Sequence, residues 1–149
     1  MLHAQPNYII LPAVPEDAEK VIDCGRKAFA STPIQEAVYP KAKEHLTPPA
    51  ELRRWRIHRK AGRMAGEDVV GFKAVLVADP DAIVGYASWV KPGGFDKQKN
   101  RAELEPAVEK VDFPACVNKE AQRDFTARLD RKREEIWDGD WNFWCKRSQ

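Results

Sequence analysis

No stretch of this 149-residue chain approaches the ~18 consecutive apolar residues of a membrane helix. Charge of one sign is also missing. Lys plus Arg is 25 against Asp plus Glu 23, and the net charge of +2 gives little bulk pull toward nucleic acid. Cysteine is scarce: Cys24, Cys116 and Cys145 are odd in number and far apart. That pattern suits free thiols in a reducing compartment, not a disulfide framework. The three histidines, His3, His45 and His58, have no cysteine or carboxylate at ligand spacing, so no metal site is expected. No G-x-S-x-G element supports a hydrolase serine, and no internal repeat or low-complexity segment occurs. Residues Met1 to Pro6 lack a basic and an apolar signal region. No secretory signal is therefore expected, and an intracellular, cytoplasmic location follows.

What is present suits one globular domain. Hydrophobic content of 43% with 32% charged residues fits a core under a solvated surface. A chain of this length buries roughly 70% of its unfolded surface. The expected domain spans residues 7–145, with 1–6 and 146–149 as flexible ends. Its organising stretch is Ala74 to Val90, AVLVADPDAIVGYASWV. Ala74–Ala78 is an unbroken apolar run, as in a strand covered on both faces. Asp79-Pro80-Asp81-Ala82 reads as a turn, because Asp79 can bond the backbone ahead and Pro80 presets φ. The next strand alternates, with Ile83, Gly85, Ala87 and Trp89 on one face and Val84, Tyr86, Ser88 and Val90 on the other.

Around this hairpin the chain reads as α/β, in the mixed, α+β-like sense. Tyr8-Ile9-Ile10-Leu11 is a first strand that ends at Pro12 or lies at a sheet edge. Pro15, Glu16 and Asp17 suit a helix start, although Val14 is a poor N-cap. Ala18, Val21, Ile22, Gly25, Ala28 and Phe29 form the helix's apolar stripe. A shorter helical turn carries Ile34, Ala37 and Val38. Thr47-Pro48 reads as an N-cap and first position, opening a helix to about Met64. Residues 92–117 read as a charged surface insertion interrupted by Pro106 and Pro114. Asn118 then caps a helix with Ala121, Phe125, Leu129 and Ile136 on a narrow stripe. Asp138-Gly139-Asp140 ends it, and Trp141-Asn142-Phe143-Trp144-Cys145 begins a last strand.

Several strings in this order carry a resemblance. They are Ile10-Leu11-Pro12-Ala13 with Pro15-Glu16-Asp17-Ala18, then Ala28-Phe29, then Leu52-Arg53-Arg54-Trp55-Arg56. Val84-Gly85-Tyr86-Ala87-Ser88-Trp89 before Pro92-Gly93-Gly94 is the strongest. Together with Trp141-Asn142-Phe143-Trp144 they resemble the N-terminal half of a Gcn5-related N-acetyltransferase (GNAT) domain, in its fungal branch. The resemblance covers residues 8–144. It implies a partial acyl-CoA N-acyltransferase fold of strand, helix, helix, strand, strand, helix, strand. It implies acyl transfer from acetyl-CoA to an amine, with acetyl-CoA as the cofactor. It also places Phe29, Tyr86 and Trp89 nearest the acceptor pocket; plain core packing is the competing explanation for each aromatic.

In that family a Q/R-x-x-G-x-G/A motif after the fourth strand holds the pyrophosphate on backbone amides at a helix N-terminus. No such string follows Trp141. Arg59-Lys60-Ala61-Gly62-Arg63-Met64 and Arg63-Met64-Ala65-Gly66-Glu67-Asp68 each fail at the last position, and both end a helix, where the dipole repels phosphate. The chain therefore reads as a truncated acetyltransferase-like domain that binds acetyl-CoA poorly by itself. No catalytic or cofactor-binding residue can be assigned.

Two other readings follow from the same residues. A partner chain could complete a half-enzyme at the Trp141–Cys145 edge strand. Alternatively, the helix bearing Arg53, Arg54, Arg56, Arg59, Lys60 and Arg63 could serve an RNA or protein adaptor. Solvated arginines whose stems cover apolar surface explain that helix without nucleic acid.

Overall fold

The structure, a computed structural model, describes residues 7–91, 112–137 and 145–146. Their fold is mixed α/β. Strand β1 (Tyr8–Pro12) leads through a 3-10 turn (Pro15–Asp17) to helix α1 (Ala18–Phe29) and helix α2 (Pro33–Val38). A 3-10 stretch (Lys41–Leu46) precedes helix α3 (Pro49–Met64). Strands β2 (Val69–Leu76) and β3 (Asp79–Val90), helix α4 (Lys119–Trp137) and the two-residue strand β4 (Cys145–Lys146) follow. The expected order of elements holds, and the short turn at 33–38 is a helix in its own right. Segments 92–111, Asp138–Asp140 and Trp141–Trp144, with the Ile136 side chain, lie outside the described residues.

These residues fall into two compact units. The first contains residues 7–28, 56–91 and 145–146. Its sheet has the order β1-β2-β3-β4, and every neighbouring pair is antiparallel. β1 ends at Pro12 and sits at the edge, where a proline's missing N–H costs the ladder nothing. The hairpin closes two residues earlier than expected. Leu76 pairs with Asp79 across Val77 and Ala78, so Asp79-Pro80-Asp81-Ala82 is not the turn but the start of β3. Between that pair and Val75↔Ile83, residues 80–82 bulge out of the ladder. Pro80 sits in the bulge because it has no N–H to contribute. Asp79 does bond ahead: its carboxylate accepts the Asp81 N–H at 3.3 Å.

A second irregularity corrects the facing of β3. Ala74 pairs with Gly85 and Val75 with Ile83, which leaves Val84 as one extra residue. One extra residue inverts the parity of everything before it. Ile83 therefore shares a face with Tyr86, Ser88 and Val90 instead of with Trp89. On that face Val75, at 0% exposure, and Val90 are fully buried. Ala18 and Val21 of α1 and Met64 of α3 pack there with Ala13, Ile57, Ala61, Ile83 and Tyr86. The α1 stripe is buried only over its first turns, since Ala28 and Phe29 are exposed.

The second unit contains residues 29–55 and 112–137. Its core is Val38, Phe113, Cys116 and Val117, with Ile34, Tyr39, Leu52, Trp55 and Ala121 against it. The end of the expected surface insertion is thus core: Phe113, Pro114, Cys116 and Val117 are buried. Trp55 explains why. Its ring lies 5.7 Å from that of Phe113, and its indole N–H donates to the Asp112 carbonyl at 3.1 Å. Asn118 caps α4 as expected, accepting the Ala121 N–H on its side-chain oxygen at 3.3 Å. Thr47 does not cap α3. The Pro48 carbonyl receives the first N–H groups of that helix, from Glu51 and Leu52, both at 3.0 Å. The buried Thr47 hydroxyl instead accepts the Cys116 N–H at 3.1 Å.

That last bond has a measurable worth. Thr47→Val keeps the shape but leaves a buried N–H unsatisfied, so it should lower stability by about 1–3 kcal/mol in urea denaturation. Thr47→Ser, which keeps the acceptor, should recover most of that loss.

Candidate functional site

Within the first unit, a set of titratable groups lies on the helix-covered face of the sheet. It begins at the entrance to α1. Val14 has no side-chain acceptor, so Asp17 takes over the helix start. Its backbone N–H reaches the Val14 carbonyl at 2.9 Å, and its carboxylate accepts the Val14 N–H at 3.0 Å. The same carboxylate receives the Lys73 ammonium on both oxygens, at 2.6 and 2.8 Å. Both side chains are largely buried, at 13% and 18% exposure. Burial by itself pushes the Asp17 carboxyl upward. The Lys73 hydrogen bond, the Val14 N–H and the charges of Lys73 and Lys20 outweigh it, and the pKa falls below the ordinary 3.8.

Lys73 stands directly across from Tyr86 in the β2–β3 register. The Tyr86 hydroxyl approaches Gly71, where a built Cβ would sit 3.4 Å from that oxygen and from the Ala13 Cβ. Glycine there lets the phenol and the chain after β1 come close together. Over the Tyr86 ring lies the Lys60 ammonium, 4.1 Å from the centroid. Lys60 is 8% exposed. Burial, helped by the charge of Arg63, lowers its pKa from 10.5 to about 8. The ring face favours the charged amine, but desolvation is the larger effect. A lysine poised this way carries a neutral, nucleophilic fraction near physiological pH.

Of the three residues expected at the acceptor pocket, the structure does not bring Tyr86 and Trp89 together. They lie three apart on a regular stretch of β3 and so take opposite faces. Both are half-buried: Tyr86 packs against the core under the helices, and Trp89 pairs across β3–β4 with Lys146. Phe29 belongs to the second unit. It ends α1 at 49% exposure, and its carbonyl accepts the Thr32 N–H and hydroxyl. The cationic stripe on α3 is broken by the burial of Lys60. Arg53, Arg56, Arg59 and Arg63 are half-buried, and each has an interaction partner. Among the described residues, no group of three His, Cys, Asp or Glu side chains is placed to hold a metal ion. No described helix is long and apolar enough to cross a membrane.

Sequence reasoning placed Lys60 on a solvated basic face, whereas it is buried, and it passed over the Asp17–Lys73 pair. The one signal for the pair was a lysine set between Phe72 and Ala74 in an otherwise apolar strand, where a charge needs a partner.

Both ionic features predict pH dependence. The Asp17 pKa is depressed in the fold, so its contribution is present above the ordinary carboxylate range and lost as pH falls through it. Asp17→Asn should cost about 2 kcal/mol at neutral pH, with the difference from wild type vanishing in acid. Lys60 makes stability rise with pH in the same sense, but in an alkaline window. Its folded pKa lies below its unfolded one, so the unfolded chain binds the extra proton between about pH 8 and 10.5. Wild type should therefore gain stability relative to Lys60→Met across that window, measured by urea denaturation as a function of pH. Comparisons with protein-family models, with curated proteins and with solved structures returned no match.

Proposed function

We propose that this chain is the acceptor-side half of a Gcn5-related N-acetyltransferase fold. In this reading it carries the sheet and the acceptor-amine wall, and acetyl-CoA is held by a segment following β4. The observation that supports the reading most is the sheet: order β1-β2-β3-β4, antiparallel throughout, with helices between β1 and β2. That is the arrangement the resemblance implies up to its fourth strand. The transfer implied is attack of an amine nitrogen on the thioester carbonyl. The C–N bond forms, the C–S bond breaks, and the thiolate leaves to take a proton.

Within this reading the pocket aromatics divide. Trp89 lies beside β4, the strand that offers amides to the pantetheine arm, and so forms the pocket wall. Tyr86 serves the core beneath it. No Q/R-x-x-G-x-G/A string occurs in these 149 residues, so the pyrophosphate grip has no counterpart in them.

The test is a thermal melt with and without acetyl-CoA. The 149-residue chain should melt at the same temperature in both. A chimera extended after β4 by the loop, helix and strand of a Gcn5-related acetyltransferase should be stabilised, by about 2.7 kcal/mol at 100 times the dissociation constant. A chimera that melts cooperatively but ignores acetyl-CoA would sink the reading. So would a shift in the unextended chain, because the cofactor would then sit where this reading puts none.

A further inference from the structure

The opposite edge of the sheet carries an independent feature. Among the described residues, β1 is hydrogen-bonded on one side only, to β2. The Asn7 carbonyl accepts the Val77 N–H, and the Ala13 N–H donates to the Gly71 carbonyl, both at 2.9 Å. With Tyr8 opposite Leu76 and Pro12 opposite Phe72, these bonds fix the phase of the strand. Residues 7, 9, 11 and 13 turn their main-chain groups toward β2. Tyr8, Ile10 and Pro12 turn theirs outward.

Two protections of this edge are its shortness, five residues, and Pro12, which turns no N–H outward; charge is not among them. No charge occurs from Tyr8 to Pro12, and both ladder irregularities fall between β2 and β3. Its side chains are open as well: Tyr8 is 56% exposed and Ile10 58%, with Ile9 and Leu11 beside them. Lysines, inward charges and bulges, which also blunt sheet edges, do not occur in β1, so its Tyr8 N–H, Ile10 N–H and outward carbonyls stay available.

The geometry points to a second copy of this chain as the occupant, through antiparallel β1–β1 pairing centred on Ile10. The strand is complementary to itself in that register. Each Ile10 donates to and accepts from the other, and each Tyr8 N–H donates to the Pro12 carbonyl of the other copy. The N–H that Pro12 lacks falls at the end of the ladder, where its absence leaves all of these bonds intact. Ile9 meets Leu11 across the pair, and Ile10 meets its own copy, so apolar side chains face each other and no like charges do. The contact is isologous and consumes the β1 edge of both copies, so it closes as a dimer and does not propagate as a fibre. A five-residue ladder is short, which makes the dimer reversible. The acetyltransferase reading is unaffected, because it places the cofactor beyond β4, at the other end of the strand order.

Sedimentation velocity over a wide concentration range tests this directly. Wild type should move from monomer to dimer as concentration rises. Ile10→Lys sets like charges against each other across the two-fold and should remain monomeric at every concentration. Val84→Lys, at the exposed bulge of β3, should dimerise as wild type does. Amide hydrogen exchange gives a readout that needs no variant. Tyr8 and Ile10 amides should gain protection with concentration, while those of Ile9 and Leu11 are protected throughout. A wild type that stays monomeric would overturn the proposal. So would association that survives Ile10→Lys or is lost equally in Val84→Lys, or protection at Tyr8 and Ile10 that ignores concentration.

Discussion

The sheet unit depends on one carboxylate. Asp17 closes the turn that starts α1, and it also holds Lys73 in the middle of β2. Ala18 and Val21, the two most deeply buried residues of α1, follow it immediately. The anchor and the buried stripe therefore act as one: the ion pair sets where the helix begins against the sheet, and burial of Ala18 and Val21 holds it down. Removing one partner costs more than the pair contributes, because the other charge is left stranded in a largely dry site. A strand as apolar as β2 can carry a lysine on its covered face only because this carboxylate meets it there.

The same face solves a second problem of buried charge by different means. What meets the Lys60 ammonium on the sheet is the face of the Tyr86 ring. One lysine is paired with a carboxylate, while the other is desolvated over an aromatic ring, which lowers its pKa to about 8. The two stand on either side of a single tyrosine: Lys73 across the strand pair, Lys60 above the ring. Exposed pairs such as Lys20–Asp81, at 2.5 Å, add little by comparison, because water screens them.

Much of this was legible in the sequence, and the misses have physical causes. An apolar run bounded by prolines located β1, apolar stripes located α1 and α4, and Asn118 was readable as a cap from its place before Lys119 and Glu120. Thr47 looked like an equally good cap and was not, since a partner 69 residues away claimed its hydroxyl. Turn chemistry pointed to Asp79–Ala82, and Asp79 does make the local bond expected of it. The strands nevertheless closed at Val77–Ala78, and the proline was displaced into a bulge. Alternation along β3 held from Gly85 to Val90 and failed at Ile83, because no local pattern announces one extra residue. Phe113 to Val117 read as loop because prolines and charges surround it. What buries that segment is Trp55, far away in sequence.

The bulges at Val84 and at residues 80–82 divide the hairpin into two parts with different tolerance for changes in length. Past the Val75–Ile83 pair the tip is already out of step with its partner. Residues can be gained or lost there without altering which way Ser88 or Val90 points. Between Gly85 and Val90 there is no such slack, and a single inserted residue would turn Tyr86, Ser88 or Val90 out of the core. Related chains should therefore differ in length at the tip of this hairpin and agree, residue for residue, along its base.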